Sequence, residues 1–165
     1  MKPILQEPAP VLRHDAAPVG ADEFNTPALQ KILNDMSEAL SHEEDGVAIA
    51  APQIGVSKQI FVISKKIFSD AENDIVCINP SFIRVGKKKV VVSEGCLSVR
   101  WKYGKVKRSE TATIRATNFA GNEFVLSGRG LLAQIFQHEM DHLVGVLFID
   151  KASNLEDVPA PHHTK

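Results

Sequence analysis

The sequence predicts a domain of several antiparallel strands with one helix buried in its middle and an amphipathic helix near the N-terminus. Three observations predict it. Apolar residues recur at three- and four-residue steps after Thr26-Pro27; short β-branched runs alternate with turn residues through the middle; and a later helical segment is apolar round most of its circumference. The chain of 165 residues is long enough to bury one ordinary core, so a single domain over residues 1–165 is expected.

Residues 1–26 carry Pro3, Pro8, Pro10 and Pro18, each lacking a backbone donor, and are expected as an arm lying on the domain, tied down by Val11, Leu12 and Val19. Thr26 can cap and Pro27 can take the first helical position, and Leu29, Ile32, Leu33, Met36 and Leu40 then mark a helix over about 27–42. The Gly- and Pro-punctuated stretch from Gly46 to Gly55 suits a loop with a short extended part, passing close to another element. Residues 59–64, 75–79, 88–93 and 111–117 are rich in β-branched side chains and predict antiparallel strands. Residues 118–122 read as a hairpin turn into a strand at 123–126. Ser127-Gly128-Arg129-Gly130 is expected to open the second helix. Leu131, Leu132, Ile135, Phe136, Met140 and Leu143 spread round its axis, and Gly145 can end it. Residues 147–149 are expected as the last strand, and the chain from about 156 as a frayed tail that includes His162-His163.

Lys plus Arg total 19 against 20 Asp plus Glu, a net charge of −1, so no global field concentrates nucleic acid or an anionic membrane. Direct reading of nucleic acid is not expected. The two cysteines, Cys77 and Cys96, are too few for a disulfide framework and fit a reducing compartment, the cytoplasm or an organelle. The start turns polar before any apolar signal core forms, and no run reaches the ~18 apolar residues of a membrane span, so neither export nor anchoring is expected.

The chemistry concentrates in Gln137-His138-Glu139-Met140-Asp141-His142. His138 and His142 lie four apart, on one helix face, and can bind one metal ion, with Glu139 beside them. A helix otherwise so apolar has little reason to carry two imidazoles and two carboxylates, because each costs several kcal/mol to desolvate unless paired or ligated. A catalytic metal takes three protein ligands and keeps one open position, so a third ligand must come from elsewhere. Cys96 is the candidate. It stands in Glu94-Gly95-Cys96-Leu97-Ser98 after the apolar run Val90-Val91-Val92, where a strand end can aim a thiolate inward and Gly95 permits close backbone approach. A buried small hydrophobe is the bland alternative for a lone cysteine, and Cys77, between Val76 and Ile78, is read that way. The loop from Gly46 ends in the amide of Gln53, which can donate a hydrogen bond to a developing oxyanion or, read blandly, packs in a turn.

Taken in order and spacing, Gly46-Val47-Ala48-Ile49-Ala50-Ala51-Pro52-Gln53, Glu94-Gly95-Cys96-Leu97-Ser98 and Gln137-His138-Glu139-Met140-Asp141-His142-Leu143 resemble the three signature motifs of peptide deformylase. Likeness extends to Val11-Leu12-Arg13, to Pro18-Val19 and to residues 145–150, so it covers roughly residues 4 to 150. The resemblance implies an α+β fold with antiparallel sheets round a central metal-binding helix. It also implies a metal-dependent amide hydrolase that removes the N-formyl group from the formylmethionine of nascent polypeptides, releasing formate by attack of metal-bound water. Carried over by position, Cys96, His138 and His142 hold the metal, Glu139 is general base and acid, and Gln53 with the Leu97 backbone N–H holds the oxyanion. Gly46, Val47, Ala48, Gly95, Leu132 and Ile135 are the implied substrate contacts. Fe(II) is the implied metal, with zinc, nickel or cobalt as substitutes, since the ligand types suit several. Lys87-Lys88-Lys89 reads as a solvated turn, with a transient ribosome contact as the minority reading.

The chain departs from the family pattern at three places. Ala48 stands where a second glycine is usual and adds a methyl beside the peptide-binding strand. Arg100-Trp101-Lys102-Tyr103 replaces the usual proline and later arginine, and Gln134 takes a position commonly apolar in the methionine pocket, weakening that contact unless the amide points elsewhere. Two rival functions follow. A zinc peptidase shares the helix motif but not the cysteine ligand or the other two motifs. A non-catalytic relative binding metal or formylated peptides is motivated by Ala48, Tyr103 and Gln134, and opposed by intact Gln53, Cys96, His138, Glu139 and His142.

Overall fold

The computed structural model describes residues 2–160. Pro residues keep the start extended over the surface, apart from a single 3-10 turn at Pro10–Arg13, and Leu12 and Val19 are buried as its anchors. The first helix, α1, spans Pro27–Ser41: the Thr26 hydroxyl accepts the Leu29 N–H at 3.2 Å, Pro27 occupies the first turn, and Leu29, Leu33, Met36 and Leu40 form the buried face. Its end lies within the expected boundary.

Eight strands follow among the described residues: β1 (Ala48–Ala50), β2 (Ile60–Ile63), β3 (Ile75–Val85), β4 (Lys89–Cys96), β5 (Val99–Ser109), β6 (Thr111–Thr117), β7 (Glu123–Arg129) and β8 (Ser153–Asp157). All their pairings are antiparallel. They form a five-stranded sheet of order β1-β2-β3-β6-β7 and a three-stranded sheet of order β4-β5-β8. The second helix, α2 (Leu131–His142), runs between them, touching β1, β5, β6 and β7. Its Ala133, Ile135 and Phe136 pack with Phe61, Ile63, Cys77 and Ile114 in one core, while α1 packs on Ile49, Ile60 and Val62 in another. Burying side chains of this size contributes about 1.5–3 kcal/mol each. Close contact of α2 with β7 requires Gly128, where an added Cβ would stand 2.8 Å from Leu132 Cγ and 3.0 Å from the Ala133 nitrogen.

Several boundaries differ from expectation, each for a local reason. Residues 127–129 do not open the helix; they extend β7, with Arg129 opposite Thr111, and Gly130 makes the turn into α2. Residues 147–149 are not a strand. Phe148–Asp150 is a 3-10 turn, closed by the Asp150 carboxylate accepting the Leu147 N–H at 2.9 Å. The last strand among the described residues is β8, and it takes in Glu156 and Asp157, expected in a frayed tail: they pair with Tyr103 and Lys102, and the Val158 N–H donates to the Trp101 carbonyl at 2.8 Å. His162-His163 lies outside the described residues. The long strand β5 has no counterpart among the expected elements, because its charged residues mask the alternation of Gly104, Val106 and Arg108 toward the interior.

Candidate active site

The helix α2 and the β4–β5 turn build the site together. Inward-facing Glu139 and His142 are buried, and His138 is nearly so; the turn after β4 aims Cys96 at them. Cys96 Sγ lies 3.3 Å from His142 Nε2, and the ligand atoms of Cys96, His138 and His142 all fall within 4.8 Å of one another. The Ser98 N–H donates to the Cys96 sulfur at 3.4 Å, and Gln53 Nε2 lies 3.7 Å from it, so two donors steady negative charge there. Cys77, by contrast, is fully buried in β3 among apolar neighbours, and burial pushes its thiol up to about 12.

Behind the imidazoles lies a buried charge network. The Glu94 carboxylate accepts from His138 Nδ1 and from Arg108, at 2.6 Å from Nη2 and 3.1 Å from Nε; Arg108 Nη1 also donates to Asp141 at 2.7 Å. Committing His138 Nδ1 to a carboxylate fixes the tautomer that offers Nε2 as a ligand. Burial alone would push Glu94 up, but the hydrogen bonds from His138 and Arg108 more than reverse it and hold it at about 2. For His138, desolvation lowers the pKa, yet hydrogen bonds to Cys96 and Glu94 raise it well above the usual imidazole value. Burial and the charge of His138 push His142 well below it. Desolvation raises Glu139 to about 7.

The donor set fits a metal ion. One thiolate and two imidazoles suit borderline divalent metals, and two atoms beside them, Glu139 Oε2 and His142 Nδ1, are buried without a hydrogen-bond partner among the described residues. An orphaned buried acceptor costs about 1–3 kcal/mol, a cost relieved when a polarised water stands beside the carboxylate.

A cavity of about 310 Å³ opens in front of these groups. Gly46, Val47, Ala48, Gly95, Leu97 and Ile135 line it, together with Gln53 and Glu139. Leu132 does not. It packs against the sheet core beside Gly128, one helical step round from the cavity, and Leu131 lines the opening in its place. Gln134 lines the wall, but its Nε2 is turned back to donate to the Ser93 carbonyl at 3.1 Å and lies 3.5 Å from Glu94 Oε2. Gln53, which is buried, is oriented by the Ala50 N–H donating to its Oε1 at 2.8 Å, and its Nε2 donates to Ser98 Oγ at 3.1 Å. Leu97 follows Cys96 in the turn and holds Gln6 Nε2 on its carbonyl at 2.7 Å.

Arg108 is not singled out by sequence reasoning, which reads Leu131 only as an apolar residue of the helix and Gln137 only as the start of the helix motif. Gln137 joins α2 to β5, accepting the Ser109 N–H at 2.8 Å and donating to the Ser109 carbonyl at 3.0 Å. The signal that could have found Arg108 is a charge at an inward register position of a strand.

The profile of the polypeptide deformylase family matches residues 1–158. The chain belongs to that family. A peptide deformylase of Acidobacterium capsulatum is 43% identical over 157 residues, covering 94% of this chain and 89% of the relative. Among solved deformylases, that of Legionella pneumophila superposes with a TM-score of 0.84 at 39% identity, covering 93% of this chain and 87% of the other. The Met-Ala-Ser-bound class I type b deformylase of Acinetobacter baumannii gives 0.83 at 30% identity, covering 92% and 99%. As a deformylase the chain is an enzyme, a metal-binding hydrolase that removes the N-formyl group from nascent peptides. No helix of the described residues is long and apolar enough to cross a membrane.

Proposed function

We propose that this deformylase works in the cytoplasm on formylmethionine at the start of a peptide, with Fe(II) held by Cys96, His138 and His142 and with Glu139 as the proton carrier. The observation that carries the reading is the buried Glu139 carboxylate, with one oxygen unpartnered, lining the same cavity as Cys96, His138 and the Gln53 side chain. A divalent cation bound there supplies Lewis acidity, lowering the pKa of water toward ~7 and polarising the formyl oxygen. Glu139 takes the proton as water attacks the formyl carbon. Negative charge then develops on the former carbonyl oxygen, where the Gln53 amide and the Leu97 N–H donate hydrogen bonds. The C–N bond breaks as Glu139 passes its proton to the leaving amine, giving formate and a free N-terminus. Burial favours this role in direction, because desolvation of Glu139 favours the protonated carboxyl that must hold the proton between water and the leaving amine.

Gly46, Val47 and Ala48 lead into the edge strand of their sheet, and a substrate backbone pairs with the open edge as an added strand. Val47, Leu131 and Ile135 receive the methionine side chain, and Gly95 lines the same cavity, its missing side chain making way for the Tyr103 ring. A transient ribosome contact falls to the turn at Lys87, which lacks a carboxylate partner among the described residues while Lys88 is held by Glu110 at 3.2 Å. The test is metal content and formate release from a formyl-Met peptide on protein prepared without oxygen, beside an air-exposed sample. Formate release that decays in air together with loss of iron supports the reading; bound metal without formate release rejects it.

A further inference from the structure

Leu97 and Ser98 are the two central residues of the hairpin turn between β4 and β5, since Cys96 and Val99 stand opposite each other in the ladder. With the ends of such a turn fixed, the middle peptide is the unit free to rotate; turn types I and II differ by little else. Here that peptide joins Leu97 to Ser98, and its N–H is the donor to the Cys96 sulfur at 3.4 Å. Two-residue hairpins usually take turns with a positive φ, matching the strand twist, yet neither Leu97 nor Ser98 has one. The hairpin's own preference therefore does not set the middle peptide, and contacts from outside it do.

Those contacts come from the N-terminal arm. Gln6 Nε2 donates to the Leu97 carbonyl at 2.7 Å, and Gln6 Oε1 accepts the Arg100 N–H at 3.2 Å. The backbone partners fix the orientation of the amide, because a carbonyl only accepts and an N–H only donates. On either side of Gln6, the Leu5 N–H donates to the Gln53 carbonyl at 2.8 Å and the Glu7 N–H to the Ser98 carbonyl at 2.9 Å. The middle peptide is thus gripped at both poles, its carbonyl by Gln6 and its N–H by the Cys96 sulfur. Gln6 itself is exposed and stands outside the cavity lining, whereas Leu97 is buried.

Taking deformylase activity and metal ligation by Cys96 as given, we propose that Gln6 is a positioning residue for the Cys96 turn, holding the Leu97–Ser98 peptide so that the Ser98 N–H stays on the thiolate. That hydrogen bond draws charge from the sulfur, which then gives less of it to a bound cation and leaves it the stronger Lewis acid. Without Gln6 the peptide turns, the thiolate loses its donor, and polarisation of the formyl group weakens. The hydrogen bonds of the Gln6 side chain go to Ile4, Leu97 and Arg100, and none goes to the 46–48 edge or to the pocket of Val47, Leu131 and Ile135. Binding of the substrate before reaction is therefore left in place.

The experiment uses the full chain loaded with cobalt(II) and reads both the turnover of formyl-Met amide and the thiolate-to-cobalt absorption band. Gln6→Leu is expected to lower kcat about ten-fold, leave KM within about two-fold, and move the band to longer wavelength. Gln6→Lys keeps a donor for the Leu97 carbonyl and should stay within about two-fold of the parent in kcat, with the parent's band. Gln6→Glu keeps the acceptor for the Arg100 N–H but sets a carboxylate against the Leu97 carbonyl, and should behave as Gln6→Leu does. Because Gln6 is exposed, all three variants should fold. An unchanged kcat or band in Gln6→Leu, or a Gln6→Lys as impaired as Gln6→Glu, overturns the proposal. A loss of thermal stability shared by all three without a band shift is what a merely structural tie gives, and it overturns the proposal too. A parent that releases no formate refutes the deformylase reading instead, and the cobalt band of the variants alone then decides the role of Gln6.

Discussion

Replacing Arg108 with Met removes the cation of the buried network while keeping most of its volume. Its side chain is 3% exposed, Glu94 is 4% exposed, and the pair shares two hydrogen bonds, with a third from Arg108 to Asp141. Glu94 held at about 2 rather than 4.5 corresponds to about 3 kcal/mol of preference for the charged form, shared between His138 and Arg108. Breaking a buried pair from one side costs about 3–5 kcal/mol, because the remaining charge is left uncompensated. For a chain of this size each kcal/mol lowers the Tm by roughly 2–4 °C, so Arg108→Met should lose about 6–20 °C in thermal unfolding. Lys151→Met is the control: its Asp141 contact at 2.9 Å is half in water, and about 1 kcal/mol or less should be lost. Because Glu94 orients His138, metal affinity should also fall about 10- to 100-fold by competition with a chelator. A loss below about 1 kcal/mol with unchanged metal affinity would refute the claim that this network supports the site.

Glu139→Gln should keep its metal, measured by elemental analysis, while formate release falls about 10²- to 10⁴-fold; loss of metal instead would place Glu139 among the structural supports. Gln134→Ile extends the apolar wall and gives up the bond to the Ser93 carbonyl, and should raise selectivity for formyl-Met over formyl-Ala by roughly ten-fold in kcat/KM. An unchanged ratio would remove Gln134 from the pocket wall. Gly95→Ala places a methyl 2.6 Å from Tyr103 Cε1 and 2.9 Å from Cδ1, so the ring must move, at about 1–3 kcal/mol in denaturant unfolding and with a raised peptide KM.

The elements most legible in the sequence are those whose signal is local. Thr26-Pro27 with the stripe from Leu29 to Leu40 marks α1 to within a residue of its end, and the β-branched run 111–117 coincides with β6. The differences share a cause: the decisive contact lies far away in sequence. Residues 153–157 form a strand only because β5 offers them an edge, and β5 itself alternates correctly only when Arg108 is counted as an inward residue. Residues 147–149 have strand-like composition, yet the Asp150 carboxylate closes a turn there and Arg13 holds that carboxylate at 2.6 Å.

The same distinction divides the site. Metal ligation requires particular donors at particular spacings, so His138 and His142 are legible from one helix face, and Cys96 from its place at a strand end. Pocket membership depends instead on a helix rotation of a single residue, which is why the sequence points to Leu132 where Leu131 lines the cavity. The supporting charges depend on sheet register and on reach: Arg108 stands opposite Val90 and Glu94 opposite Gly104, four positions apart along the β4–β5 pair but both buried, so the long arginine side chain runs along the sheet to meet Glu94, 14 residues away in sequence. A charge is tolerated at an inward strand position only when another element brings its partner. An inward Arg108 therefore requires a buried counterion, and Glu94, beside the cysteine motif, is the carboxylate that the β4–β5 register delivers to it. The link from Arg108 through Glu94 to His138 thus follows from the residues once the two strands are paired, whereas their spacing along the chain conceals it.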